Sequence, residues 1–272
     1  MNIVPRLRLC ALPLAVSLAL AACGGSSAPS DAKKPSEPPP AAMAAAADTA
    51  LPAGWKRVAG AEMPAVHDQK AVLPAKVHSD DGADIAVTDT RRIVAGGDDV
   101  IAVIEALGLG KQVFAAPTNT TTEAGRAAPH QFLFNRTTGV EGVLSLRGSL
   151  FLGNSLRRHT ELAKKLREVG EPAVVIDDLQ PAPDKVRKVA AALGLAEAGQ
   201  TLATQVQRQL DEAAAIGRGL GHAPRVIHVS ATGAGGAPTV AGADSASAQL
   251  IALAGGVNIG TEAGVKNYSQ LS

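Results

Sequence analysis

Residues 92–113, RIVAGGDDVIAVIEALGLGKQV, leave this chain few folds to choose from. A short apolar run at 93–95 meets Gly96-Gly97, and Val100, Ile101, Val103, Ile104 and Leu107 then recur at helical spacing. Asp98 and Asp99 fall in the first helical turn, where carboxylates complement the positive end of the helix dipole. Gly108 and Gly110 supply the stop, because glycine takes the left-handed conformation that ends a helix. A second apolar run follows at 113–116. Strand, helix and strand in this order form a βαβ unit, which requires a parallel sheet covered on both faces.

Ahead of this unit stands a segment with a different purpose. Arg6 and Arg8 precede an apolar stretch at 11–19, and Leu20-Ala21-Ala22 places small residues before Cys23. The stretch is shorter than a bilayer span requires. It resembles a bacterial lipoprotein signal, which implies cleavage after residue 22 and acylation of Cys23. Cleavage without lipid attachment is the alternative. With Cys10 discarded and Cys23 acylated, the mature domain would hold no thiol for a disulfide, a metal or a nucleophile. Residues 1–22 carry two of the 26 basic residues and none of the 25 acidic ones, so the mature chain holds 24 against 25, a formal charge of −1. Such a balance gives no electrostatic footprint for nucleic acid. Residues 23–50, rich in Ala, Pro, Ser and Lys, have too few large apolar side chains to offset the entropy of ordering and read as a tether.

Residues 51–91 form a leader in which 76–78 and 85–87 flank Ser79-Asp80-Asp81-Gly82, a hairpin signal. Beyond residue 116 the α/β alternation continues. Helices are expected at 140–146, 155–169, 184–193 and 200–216, and strands at 150–153, 173–176, 225–230 and 238–241. The expected layout is therefore an N-terminal α/β lobe over 92–182, connecting helices over 183–222, and a partial C-terminal lobe over 223–272. The fold class is α/β, with two parallel-sheet lobes joined by a long rigid helix and the second lobe incomplete.

The order of RIVAGGDDVIAVIEALGLGKQV, VEGVLSLRGSLFLGN, LAKKLREVGEPAVVIDD and SASAQLIALAGGVNIG resembles the substrate-binding lipoproteins of ABC importers, within them the hemin branch of the iron-siderophore and vitamin B12 group. The likeness covers roughly residues 75–272. It implies ligand capture between two lobes, delivery to an ABC permease, an extracytoplasmic location and a lipid anchor in the membrane. Heme is then a transported ligand and no intrinsic cofactor is implied. The chain is expected to act as a monomer.

Site residues transfer at a few positions. Glu141, on the short helix before LSL, matches a glutamate that docks on the permease; the alternative is a solvated helix residue. Thr120 stands where hemin members commonly have a tyrosine, and a threonine hydroxyl does not replace a tyrosinate ligand. Phe134 and Arg136 match a following Tyr-Met-Arg segment, so Phe134 would lie against a macrocycle and Arg136 would pair with a propionate. His130 offers an imidazole from a loop. Tyr268 matches the Gly-Tyr-Lys-Pro-Leu-Ser loop and, as the single tyrosine of the chain, is the one phenolate available to ferric iron.

In the family that loop is followed by a further helix and strand, so the second lobe is expected to be truncated. Other chemistries lack support. Gly233-Ala234-Gly235-Gly236 fits neither a phosphate loop nor a dinucleotide fingerprint. The pairs Asp80-Asp81, Asp98-Asp99 and Asp177-Asp178 are read as a turn, a helix start and a strand exit. A carrier rather than an enzyme is expected. A ferric siderophore or corrinoid in place of hemin, and a truncated lipoprotein with no transport role, stay open.

Overall fold

The computed structural model describes residues 63–133, 139–230 and 238–270. Cys23 with the expected signal and tether, Phe134, Arg136 and the glycine run 233–236 lie outside them. Strands β1 (Ala75–His78) and β2 (Asp84–Val87) pair antiparallel around the turn Ser79-Asp80-Asp81-Gly82. Five parallel strands follow: β3 (Ile93–Ala95), β4 (Val113–Pro117), β5 (His130–Phe132), β6 (Leu150–Gly153) and β7 (Ala173–Val175). Their order across the sheet is β5-β4-β3-β6-β7. The chain thus builds outward from β3 in one direction, then returns to place β6 on its other side.

Alternation along the strands fills two cores. Ile93, Ala95, Leu150, Leu152 and Val174 face helices α1 (Asp98–Ala106), α5 (Ala182–Ala192) and α6 (Ala196–Gly219). Val94, Phe151, Ala173 and Val175 face α3 (Val140–Ser145) and α4 (Leu156–Glu168) on the opposite side. Burial on both faces explains why the strands read as unbroken apolar runs. Helix α1 ends as expected, with Gly108 at φ 75°. The five-residue α2 (Glu123–Ala127) connects β4 to β5 and starts at Thr122, whose side chain accepts from the Gly125 N–H.

Helix α6 is longer than the expected 200–216; its 24 residues span about 36 Å at the usual rise. Leu202, Ala203 and Val206 are buried in the first core, while Gly217 lies against Ala254 and Gly255 of the next lobe. One stiff helix therefore serves both lobes.

The expected single strand at 225–230 is two. β8 (Arg225–Val226) pairs parallel with β11 (Val257–Asn258), whereas β9 (Val229–Ser230) pairs antiparallel with β10 (Thr239–Ala241), which also pairs antiparallel with β12 (Tyr268–Gln270). The break falls at Ile227-His228, where the His228 carbonyl accepts from the Ala241 N–H and redirects the chain from one sheet to the other. Helices α7 (Ala246–Leu253) and α8 (Ile259–Glu262) complete the described lobe.

The β1–β2 turn is tied to the sheet rather than free. Ser79 is fully buried and exchanges hydrogen bonds with the main chain of Val175 (2.9 and 3.3 Å). Asp81, whose side chain is 1% exposed, pairs with Arg167 of α4 through both guanidinium arms. Burial alone would raise the Asp81 carboxyl, but Arg167, Ser79 and the Ala83 N–H together hold it below its ordinary value. Asp80 pairs with Lys188 of α5. Replacing Asp81 with alanine strands a mostly buried guanidinium and should cost about 3–5 kcal/mol, read as a lower denaturant midpoint in equilibrium unfolding.

His159 of α4 is 3% exposed, stacks edge-on against Phe151 at 5.7 Å, and accepts the Asn154 N–H at Nδ1 (3.0 Å). Burial, aided by the Arg158 charge and opposed by Asp99, lowers its imidazole to about 4. The unfolded chain takes up a proton near 6.5 that the folded chain refuses until about 4, so stability is full above pH 6.5 and falls as pH drops through that window. The expected loss is about 2–3 kcal/mol, and His159→Gln should flatten that part of the stability–pH curve.

Candidate ligand-binding site

In an open parallel sheet, ligands are received outside the carboxyl ends of the strands where the strand order reverses. Here the reversal lies between β3 and β6. The Asn154 side chain from the loop after β6 lies over the end of β3, so close that a Cβ on Gly97 would stand 2.0 Å from its Nδ2 and would displace that amide. The two aspartates that follow are both engaged. Asp99 accepts from Asn154 Nδ2 (2.8 Å) and pairs with Lys185 of α5 at 2.6 Å. Asn154 Oδ1 is buried without a hydrogen-bond partner among the described residues.

Asp98 reaches the loop after β4. Its Oδ1 accepts from Thr120 Oγ1 at 2.5 Å, and its Oδ2 accepts from the Thr121 N–H (2.8 Å) and hydroxyl (2.7 Å). Burial works to raise the Asp98 carboxyl, but these three hydrogen bonds and the Arg126 charge prevail and hold it below its ordinary value. Thr120 also lies 3.0 Å from Thr122 Oγ1. Thr120, expected from the sequence to stand at a family tyrosine position, is therefore a loop-fixing hydroxyl at the strand ends.

Tyr268 lies on β12, about half exposed. Its phenol oxygen is 2.9 Å from Ser247 Oγ in the first turn of α7, and the His228 ring meets its ring edge-on at 6.1 Å. The same helix approaches the first lobe, where Gln249 Nε2 donates to the Leu179 carbonyl in the loop after β7 (3.4 Å). Sequence reasoning did not single out Ser247, Lys185 or Asn154. Gly96-Gly97 and Gly153-Asn154, each at the end of an apolar run, were the available signal for Asn154. Ser247 and Lys185 carry no local mark, since each gains its role through a partner 21 or 86 residues away.

His130 is a strand residue, not a loop residue as expected from the sequence; His130-Gln131-Phe132 is a short edge strand without an apolar alternation to reveal it. It opens β5 at the amino-terminal side and its ring packs on Phe114 at 4.6 Å, with the Arg92 guanidinium 3.8 Å from the same Phe114 ring. Among the described residues no hydrogen bond, ion pair or ring contact joins Thr120 or His130 to Tyr268. Glu141 is exposed in the first turn of α3 and forms no ion pair with a described residue. No group of three or more metal-ligating side chains occurs among the described residues, and no described helix is long and apolar enough to cross a membrane.

The family model described as periplasmic binding protein matches residues 93–272. Among solved structures, the periplasmic heme-binding protein RhuT from Roseiflexus sp. RS-1, in its apo form, is 30% identical over 68% of this chain and 71% of its own, with a TM-score of 0.61. The heme-binding protein HmuT superposes with a TM-score of 0.66 at 21% identity, over 80% of this chain and 72% of its own, a likeness of fold. BhuT in complex with two hemes is 25% identical, over 68% and 72%, with a TM-score of 0.57. No curated protein sequence matches. Together these findings make the chain a member of the periplasmic binding protein family, an extracytoplasmic substrate-binding component of ABC import that carries its ligand without transforming it.

Proposed function

We propose that this protein is the heme-capturing component of an ABC importer, held at the membrane by acylated Cys23 and acting as a monomer. The observation that carries this reading is its 30% identity to RhuT, a periplasmic heme-binding protein, over most of both chains. The placement of Tyr268 supports it: the chain's one phenol is about half exposed on the second lobe, beside the helix that approaches the first. Phenolate oxygen from Tyr268 ligates ferric iron, since Thr120 has no acidity to do so. Phe134 lies against the macrocycle and Arg136 pairs with a propionate. His130, stacked on Phe114 at the far end of its strand, is the weaker candidate for iron.

A ferric siderophore or corrinoid is the second reading. It is favoured by the hydrogen-bonding edge formed by Asp98, Thr120, Thr121, Asp99 and Lys185, groups that suit a polar chelate.

Hemin titrated into the chain should give a saturable Soret shift at micromolar concentration, and Tyr268→Phe should weaken binding at least tenfold. A shift unchanged in that variant would remove Tyr268 from the iron, and no saturable shift would leave the chelate or corrinoid. Glu141, exposed and without an ion pair to a described residue, is proposed as the docking charge for the permease. Glu141→Arg should lower heme uptake at least tenfold in cells that depend on this chain, with heme affinity unaltered in solution.

A further inference from the structure

We infer that Leu179 and Leu250, which flank the contact between the two lobes, are the residues through which this site selects an apolar macrocycle over a polar chelate. The inference deepens the heme reading above and rests on it. An exposed leucine is ordinary on any surface, so the argument rests on where these two stand. Val72 and Val169 are exposed as well, but they lie at the amino-terminal end of the sheet, away from the strand ends that receive a ligand.

Leu179 belongs to the loop after β7, and that loop is pinned without burying it. The Asp177 N–H and Gln180 Nε2 both donate to Asp80 Oδ2 (2.7 and 3.1 Å), and Gln180 Nε2 also donates to the Asp177 carbonyl (3.0 Å). The Leu179 N–H donates to Asp177 Oδ1 (3.0 Å). Lys188 holds the other oxygen of Asp80. Leu179 is nevertheless 49% exposed, and its carbonyl accepts from Gln249 of the second lobe. The hydrogen bonds fix this leucine at the lobe junction instead of folding it into the core.

Leu250 stands on the other side of that junction and is 64% exposed. At 3.6 residues per turn it lies about 60° around α7 from Ser247 and about 100° from Gln249, between the two. Ser247 touches the Tyr268 oxygen and Gln249 touches the Leu179 carbonyl. Ala248, on the opposite side of α7, is buried in the lobe. The α7 face that carries Leu250 therefore runs from the phenol to the first lobe.

A ligand seated beside Tyr268 thus meets an apolar side chain from each lobe. A porphyrin ring covers both at a gain, because its faces are apolar. A polar chelate in the same place would give up hydrogen bonds to water without finding partners. The pinned loop adds to the preference, since Leu179 is already ordered when the ligand arrives.

The test uses the full chain and metal-free protoporphyrin IX, whose binding owes nothing to iron and is read by fluorescence anisotropy. Leu179→Ser, Leu250→Ser, the double variant and Leu250→Met are compared, with a hemin titration alongside. Covering half a leucine is worth about fivefold in affinity, so each serine variant should bind the porphyrin about fivefold more weakly. The double variant should lose about twenty-five-fold, and Leu250→Met, which keeps the apolar volume, should bind as the unaltered chain does. Both side chains are exposed, so these substitutions leave the fold intact. Porphyrin affinity unchanged in the double variant would overturn the role of the leucines while leaving the heme reading in place. So would a chain that binds hemin but no protoporphyrin IX. Failure of the unaltered chain to bind either compound would overturn the heme reading and this inference with it.

Discussion

Where the carboxyl ends of β3 and β6 meet, the Asn154 side chain fills the space a Cβ on Gly97 would take, and the neighbouring loops are locked around that contact. Asn154 donates to Asp99, Asp99 pairs with Lys185 of α5, and the main chain of Asn154 is held by a buried neutral histidine on α4. Helices from both faces of the sheet are thereby fixed to one point at the reversal of strand order. The strand-end edge of the first lobe inherits its rigidity from this point, because Asp98, next in line to Asp99, carries the Thr120 loop on two carboxylate oxygens. A preorganised edge loses less entropy when a ligand is captured than a mobile one.

A second set of ties works behind that edge. The β1–β2 turn sends Asp80 to Lys188 and to the Asp177 N–H (2.7 Å), and Asp81 to Arg167, so a leader hairpin clamps the last strand of the sheet and helices on both of its faces. These pairs are partly to mostly buried, where losing one partner leaves an expensive unmatched charge. Acid attacks the same region in two stages. His159 becomes a liability below about pH 6.5, and the depressed Asp81 carboxyl loses its contribution at lower pH still.

Much of this was legible in the sequence for one physical reason. The first-lobe strands are buried on both faces, so each appears as an apolar run, and the helices between them carry apolar stripes closed by glycine. β5 and α2 escaped notice because a polar edge strand and a five-residue helix have no periodicity to detect. The 225–230 segment looked like one strand because its composition is continuous, whereas its division is decided by pairing with β11 and β10, far along the chain. The acidic pairs were visible as local turn and cap signals, yet the ion-pair partners of Asp80, Asp81 and Asp99, namely Lys188, Arg167 and Lys185, lie 86 or more residues away. Tyr268 was singled out as the one phenol; Ser247 required coordinates.

One helix is shared between the tied first lobe and a second lobe that presents a hydrogen-bonded phenol. In the proposed function that phenol supplies, from the opposite lobe, the iron ligand that Thr120 cannot. A crystal structure of the chain with ferric heme, phased for iron by anomalous scattering, tests this most directly. The account predicts one iron peak within bonding distance of the Tyr268 oxygen. An iron peak at His130, or heme held with Tyr268 turned away from it, would contradict it.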